Sequence, residues 1–155
     1  MNYVDTSAFV KYYSKEEYER GFVKVKKLME DAKAGNEILI SSYFIVGESI
    51  SAFDKWVRYK LITEEELGKA IKRFLADVKE MNDKETLILE PLTSSVITLC
   101  TELIVKHHIS INDAIHLYTA LSNKTQIKQF ISSDKILFKA AKAEGFEVFN
   151  PEEDN

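Results

Sequence analysis

Cysteine, proline and glycine are all scarce in this chain of 155 residues, which has one cysteine, two prolines and five glycines. A single cysteine, Cys100, cannot form an intramolecular disulfide, and this usage is typical of proteins from reducing compartments. So few prolines and glycines leave no linker or low-complexity tract, and the length is that of one domain. The sequence therefore predicts a single domain over residues 1–150, followed by an acidic C-terminal tail at 151–155.

The chain also lacks a long apolar run and an excess of positive charge. No uninterrupted apolar stretch approaches the ~20 residues that cross a bilayer, and Met1 leads into a predicted strand rather than a signal sequence. We therefore expect a cytoplasmic protein with no membrane contact. The net charge of −4 argues against a protein that coats nucleic acid by bulk electrostatics.

One segment, 124–145, is locally basic, with five lysines against two acids. Lys135, Lys139 and Lys142 are spaced so that they share one helical face. The pattern fits either a solvated helix face or a local contact for a nucleic-acid backbone.

Short β-rich runs alternate with helical patterns along the chain. The predicted strands are 2–4, 38–40, 87–89, 128–131 and 146–149. The predicted helices are 16–34, 42–57, 63–80, 94–106, 112–123 and 135–144. This alternation predicts an α/β fold with three layers, α/β/α, around a central, mainly parallel five-stranded sheet. In open sheets of this kind, ligands bind beyond the carboxyl ends of the strands.

Four acidic residues stand among apolar or small neighbours: Asp5, Glu48, Asp113 and Asp134. Asp5 and Asp134 each follow a predicted strand and precede a helix, so each could simply cap that helix. Asp113 falls in the first turn of a helix, where the macrodipole favours a negative charge. Ser132 and Ser133 could cap in place of Asp134, which would leave its carboxylate for another role.

Glu48 has no comparable structural explanation. The residues one helical turn away cannot pair with it: Phe44, Ile45, Ser51 and Ala52. A carboxylate on an apolar face needs a hydrogen-bond donor, a proton or a cation. Gly47 beside it is unfavourable in a helix interior, which suggests that another group approaches that face closely.

A parallel sheet can bring the four acids to one end. Four carboxylates within ~4 to 6 Å would repel one another by several kcal/mol at an effective dielectric near 20, and a hard divalent cation would remove that repulsion. All-oxygen ligation favours Mg²⁺ or Mn²⁺ over zinc. His116, three residues after Asp113, could touch such a site or be a satisfied structural group, and we expect His107 and His108 to face water.

The chain contains, in this order, VDTSAFVKYY, SSYFIVGESISAF, ISINDAIHLYTAL and ISSDKILFKAAKAEGFEVFNP. Together these segments resemble the successive motifs of PIN-domain ribonucleases, especially the single-domain VapC-type toxins of toxin-antitoxin pairs. The resemblance implies an acidic quartet that is catalytic and holds one or two Mg²⁺ or Mn²⁺ ions: Asp5, Glu48, Asp113 and Asp134. It also implies a supporting hydroxyl at Thr6 or Ser7.

The resemblance implies a metal-dependent endoribonuclease that cleaves single-stranded RNA, with Lys135 and Lys139 as contacts for the RNA backbone. It further implies a small antitoxin as partner and a homodimer. An aromatic-rich face, with more apolar surface than one chain can bury, also favours the homodimer. Its residues are Tyr43, Phe44, Phe53 and Trp56.

Two alternative functions remain from the sequence. One is a non-catalytic PIN-fold module for protein interaction. The other is a phosphoryl-transfer receiver or a phosphatase of the haloacid dehalogenase type, which also places acids at strand ends. That phosphatase expects an acid two residues after its nucleophile, where this chain has Ser7.

Overall fold

A parallel sheet forms the centre of the computed structural model, which describes residues 1–14 and 20–153. Its strands are β1 (Asn2–Val4), β2 (Leu39–Ser42), β3 (Leu87–Glu90), β4 (Gln129–Ile131) and β5 (Val148–Phe149). The order across the sheet is β3-β2-β1-β4-β5, and all four pairings are parallel. The predicted five-stranded sheet is confirmed, with β1 at its centre.

Seven α-helices surround the sheet in the described residues. They are α1 (Thr6–Phe9), α2 (Phe22–Lys33), α3 (Ile45–Arg58), α4 (Glu64–Asp83), α5 (Ser94–His107), α6 (Ile111–Ser122) and α7 (Lys135–Ala143). Short 3-10 turns follow α1 at Val10–Tyr13 and α6 at Lys124–Gln126. None of these helices is long and apolar enough to span a membrane.

Most predicted boundaries hold within a few residues, with two larger differences. The predicted helix 16–34 begins only at Phe22, because Gly21 before it has a φ of 88°, which a helix cannot contain; its residues 16–19 lie outside the described part of the chain. The predicted strand 146–149 is reduced to two residues, because Phe146 packs into the core before the strand begins.

Helix α4 shows how local sequence specifies an element. Thr63 accepts the backbone N–H of Glu66 through its hydroxyl, and the Glu66 carboxylate accepts the backbone N–H of Thr63 at 2.8 Å. This capping box satisfies two backbone donors at the start of the helix. The apolar stripe of α4 then buries Phe74 and Met81 against the sheet.

The two faces of the sheet carry separate apolar cores. Successive side chains of a strand point to opposite faces. Val4 and Ile131 therefore lie in one core, whereas Tyr3 and Phe130 lie in the other. Helices α2, α3 and α4 cover the first core, and α5, α6 and α7 cover the second. The predicted α/β/α layering is confirmed.

The predicted aromatic-rich face does not exist as one surface. Phe53 is fully buried and Trp56 packs beside it in the first core, with ring centroids 5.1 Å apart. Phe44 packs against the second core. Tyr43 is 58% exposed. The reason is that α3 begins only at Ile45, so Tyr43 and Phe44 lie in the turn before it and do not follow the helical spacing.

The described part of the predicted C-terminal tail packs onto the segment after α1. Glu152 forms an ion pair with the buried Lys11, with Oε1 2.7 Å from Nζ. A Cβ atom on Gly21 would lie 3.0 Å from Pro151, so glycine permits this close approach as well as the positive φ. Residues 154 and 155 lie outside the described residues.

Candidate active site

The four acids predicted from the sequence lie on elements that start at the carboxyl end of the sheet. Asp5 directly follows β1, and Asp134 follows β4. Glu48 lies in the first turn of α3, after β2, and Asp113 lies in the first turn of α6. Parallel strands direct Asp5, Glu48 and Asp134 to one side of the molecule, and the charge interaction between Asp113 and Asp134 places the start of α6 on the same side.

Asp5 is nearly fully buried, with 3% of its surface exposed. Its carboxylate caps α1 by accepting the backbone N–H of Ala8 at 3.0 Å, and it accepts the hydroxyls of Ser7 and Ser132 at 2.8 and 2.9 Å. Burial raises the pKa of Asp5 to about 6, although His116 and these hydrogen bonds act in the opposite direction. Asp5 thus caps α1, and its burial makes ionisation of its carboxylate unfavourable.

Ser7 connects the ends of β1 and β4. Its hydroxyl donates to Asp5, and its oxygen accepts the backbone N–H groups of Ser133 and Asp134 at 2.8 and 3.0 Å. One hydroxyl therefore joins one predicted acid to the backbone of another. Ser7 was predicted only as a possible supporting hydroxyl, and these contacts give it a definite structural role.

Asp134 caps α7, and the expectation that Ser132 or Ser133 would do so is wrong. Asp134 Oδ1 accepts the backbone N–H groups of Ile136 and Leu137 at 2.7 and 2.9 Å. Ser132 and Ser133 precede the capping position and cannot reach those donors. Ser132 instead donates to Asp5 and accepts the backbone N–H of Asp134 at 3.0 Å. Both capping bonds use the same oxygen of Asp134.

Glu48 finds its partners on other elements, as the absence of a partner within its own helix implied. Its Oε2 atom lies 2.6 Å from Thr6 Oγ1 and 2.6 Å from His116 Nε2. Partial burial alone would raise the pKa of Glu48, but the hydrogen bonds and charge of His116 and the bond from Thr6 outweigh burial and lower it. Glu48 is therefore held as an anion.

Gly47 does not mark a close approach, contrary to the sequence-based interpretation. A Cβ atom placed there would meet nothing within 4 Å, and the residue is exposed. Glu48 is instead contacted by Thr6 and His116, which lie on other elements.

His116 lies at the centre of the site rather than at its margin. The side chain is 2% exposed. Its Nε2 atom contacts Glu48 and lies 3.2 Å from Thr6 Oγ1, while its Nδ1 atom lies 2.8 Å from the Tyr3 hydroxyl. The sequence placed His116 near Asp113, but the role of Tyr3 was not foreseen, because no local pattern links residues 113 positions apart.

Asp113 is half-buried and accepts the Ser110 hydroxyl at 2.7 Å. Ser110 in turn caps α6 by accepting the backbone N–H of Asp113. Burial raises the pKa of Asp113, and the negative charge of Asp134 contributes in the same direction. The repulsion indicates that Asp113 and Asp134 share one electrostatic environment.

The remaining predicted residues lie at the periphery. Lys135 and Lys139 are exposed on α7, directly after Asp134. His107 does not face water as expected, because Glu144 follows the end of α7 and its Oε1 atom lies 2.6 Å from His107 Nε2. His108 is exposed, as expected.

The donor set fits a hard divalent cation in its chemistry. All four acids offer oxygen, and burial penalises the negative charges of Asp5 and Asp113, a cost that a bound cation would relieve. Within residues 1–14 and 20–153, no three His, Cys, Asp or Glu side chains are grouped closely enough to hold an ion as they stand. Ion binding would therefore need small side-chain movements or bridging water.

Three solved structures share this fold at low sequence identity. PAE2754 from Pyrobaculum aerophilum matches with a TM-score of 0.62 and 15% identity, over 98% of this chain and 92% of that one. VapC20 from Mycobacterium tuberculosis, described as a sarcin-ricin loop cleaving toxin, matches with a TM-score of 0.61 and 17% identity, over 94% and 96%. FitAcB from Neisseria gonorrhoeae matches with a TM-score of 0.62 and 17% identity, over 97% and 98%.

Sequence comparison gives the family directly. No curated protein matches the chain significantly. The sequence model of the PIN domain matches residues 3–143, a span that contains Asp5, Glu48, Asp113 and Asp134. The chain therefore belongs to the PIN domain family, whose members are nucleases.

Proposed function

We propose that this protein is a Mg²⁺- or Mn²⁺-dependent endoribonuclease that cleaves single-stranded RNA in the cytoplasm as the toxin of a toxin-antitoxin pair. The observation that carries the proposal is that hydrogen bonds from other elements hold Asp5, Asp134 and Glu48 at the carboxyl end of the sheet. Ser7 and Ser132 link Asp5 to the Asp134 backbone, and Thr6 and His116 hold Glu48.

Asp5, Asp113 and Asp134 would hold the ion, with Glu48 as a further ligand or as the acceptor that orients the attacking water. A bound Mg²⁺ or Mn²⁺ would supply a water of lowered pKa and stabilise negative charge on the phosphate. Glu48 suits the orienting role because two donors fix its Oε2 atom and keep the carboxylate ionised. Asp134 can cap α7 with Oδ1 and direct its other oxygen to the ion.

Charge and the structural relatives support the proposed substrate and partner. VapC20 is a toxin that cleaves the sarcin-ricin loop, and this chain shares its fold. Lys135 and Lys139 on the exposed face of α7 would contact the RNA backbone without reading its sequence. The structure of FitAB was solved with a DNA fragment, whereas the net charge of −4 disfavours DNA binding by this chain alone. A small DNA-binding antitoxin would supply that contact, and we propose a homodimer as the form that binds it.

The test of this function is cleavage of single-stranded RNA by purified protein, with Mn²⁺, with Mg²⁺ and with a chelator. We expect metal-dependent cleavage that Asp5→Asn or Asp113→Asn abolishes together with Mn²⁺ binding in calorimetry. Asp83→Asn, an exposed carboxylate on α4, is the matched control and should cleave normally. Mn²⁺ binding without cleavage of any RNA would favour the non-catalytic interaction module.

Oligomeric state and partner are tested separately. Light scattering across micromolar concentrations should show a dimer, and a monomer throughout would contradict it. Co-expression with the adjacent open reading frame should yield a complex that binds DNA and no longer cleaves RNA.

A further inference from the structure

A chain of hydrogen bonds runs from the sheet to Glu48 through two buried rings. The backbone N–H of Ser42 donates to the Tyr3 hydroxyl at 3.3 Å, and that hydroxyl lies 2.8 Å from His116 Nδ1. On the far side of the imidazole, Nε2 lies 2.6 Å from Glu48 Oε2. The path crosses β1, β2, α6 and α3, so it couples the core of the sheet to one carboxylate of the site.

The contacts of Thr6 favour one tautomer of His116. Thr6 donates its hydroxyl proton to Glu48 Oε2, and His116 Nε2 lies 2.6 Å from the same oxygen. Thr6 Oγ1 has then donated its proton, so its 3.2 Å contact with Nε2 also requires the proton on that nitrogen. Tyr3 accepts from Ser42, and in the neutral Nε2–H form of His116 it donates its own proton to Nδ1.

The rings are held where they are by packing. Tyr3 is fully buried, and its ring stacks on Phe130 with centroids 4.8 Å apart and planes at 13°. It meets the imidazole of His116 edge-on, with an interplanar angle of 80°. A buried tyrosine stacked in this way has little freedom to rotate, so its hydroxyl is a fixed donor for His116.

We propose that His116, oriented by Tyr3, is a positioning residue that sets the orientation of the Glu48 carboxylate for metal binding and cleavage. This inference rests on the proposed nuclease function. His116 itself contacts no substrate in this role; it acts through Glu48, in the way that residues behind a metal ligand commonly fix the ligand's orientation. A histidine that served only to fill the core would not need a ring N–H directed at the Glu48 carboxylate.

Two substitutions, His116→Gln and His116→Asn, test separately the roles of the two ring nitrogens. Gln places an amide N–H near the Nε2 position and can keep the bond to Glu48, whereas Asn places its amide near Nδ1 and can keep only the bond to Tyr3. Thr119→Val on the same helix is the matched control, because Thr119 is buried but its hydroxyl donates only within α6, to the Ile115 carbonyl. Melting temperature without metal reports the structural cost of each change.

We expect His116→Asn to weaken Mn²⁺ binding by about 10-fold or more and to lower kcat by about 10- to 100-fold with little change in KM. His116→Gln should retain Mn²⁺ affinity within about threefold of wild type, although both variants lose a similar amount of thermal stability. Equal Mn²⁺ affinity and equal kcat in the Asn and Gln variants would overturn the proposal.

A spectroscopic readout decides the inference even if the nuclease function fails. Long-range ¹H–¹⁵N NMR of the metal-free protein reports which imidazole nitrogen carries the proton, and the signal of His116 is assigned by its loss in His116→Gln. We expect the Nε2–H form in wild type and its loss or mixture in Tyr3→Phe. A wild-type Nδ1–H form would overturn the proposal whether or not the protein binds Mn²⁺, whereas absent Mn²⁺ binding with the Nε2–H form would count against the nuclease function alone.

Discussion

Ser7 and Asp134 are joined by a 3.0 Å hydrogen bond in which the Asp134 backbone N–H donates to the Ser7 hydroxyl oxygen. The same oxygen accepts the N–H of Ser133, and the hydroxyl donates to Asp5. Three groups at the carboxyl end of the sheet thus depend on one side chain. Such shared groups are costly to remove, because each partner loses its bond at once.

Ser7→Ala should lower the free energy of unfolding by about 1–3 kcal/mol, since it leaves the Ser133 backbone N–H without its acceptor and removes one of the two acceptors of the Asp134 N–H. Urea denaturation measures this cost. Ser51→Ala is the control, because Ser51 is exposed and donates only to the Gly47 carbonyl within α3; it should change stability by about 0.5 kcal/mol or less. Equal costs for the two variants would show that the Ser7 bridge does not stabilise the site.

Asp134 combines a cap with a charge, and two substitutions separate these roles. Asp134→Asn keeps an oxygen that can accept from Ile136 and Leu137, so it should cost only a few tenths of a kcal/mol. Asp134→Ala removes the cap and should cost about 1 kcal/mol. If the charge holds a metal ion, both variants should lose Mn²⁺-dependent RNA cleavage by orders of magnitude. Near-normal cleavage by Asp134→Asn would leave Asp134 as a cap alone.

Asp5 makes stability depend on pH in a predictable direction. Its folded pKa of about 6 lies above the ordinary value of 3.8 because of burial. The folded state therefore binds its proton more tightly than the unfolded state, so metal-free stability should fall as pH rises from about 4 to 6, by up to about 3 kcal/mol. Urea denaturation across this range measures the fall, and Asp5→Asn should remove it. An unchanged pH profile in that variant would contradict the burial argument.

Exposed lysines on α7 should affect substrate binding and not chemistry. Replacing Lys135 and Lys139 together with Gln should raise KM for RNA several-fold, reduce its dependence on salt and leave kcat nearly unchanged. Steady-state kinetics at several ionic strengths measures KM, its dependence on salt and kcat. Lys26 and Lys72 are exposed on other helices, and their replacement with Gln is the control for the change in net charge. An equal effect in the control pair would mean that α7 has no particular role.

The fold could be predicted because periodicity is a local property. Helix α4 has both an apolar stripe and the Thr63 capping box, and the strands are short apolar runs between helices. A helix after Asp5 was expected, but the bounds of α1 were not predicted, since its four residues are too few to show a period. The Gly21 break and the late start of β5, after Phe146, depend on tertiary packing, which periodicity does not report.

At the candidate site, residue types were predictable but their partners were not. The acids stood out because isolated carboxylates among apolar neighbours are unusual. The contacts that hold them span long stretches of chain, such as the 68 positions between Glu48 and His116. No single-sequence pattern records such pairs, so the bonds of Tyr3 and Ser132 emerged only from the structure. The interpretation of Gly47 was wrong for the same reason, because the low helix propensity of glycine was taken as a sign that a distant group approaches it.

The central position of β1 in the sheet determines when the site can form during translation. Asp5 is translated 127 positions before Ser132, whose hydroxyl donates to its carboxylate. Strand β1 cannot receive its neighbour β4 until residues 129–131 have left the exit tunnel. A nascent chain therefore carries Asp5, Thr6 and Ser7 without this partner strand until β4 has been translated, and the site can be assembled only after that.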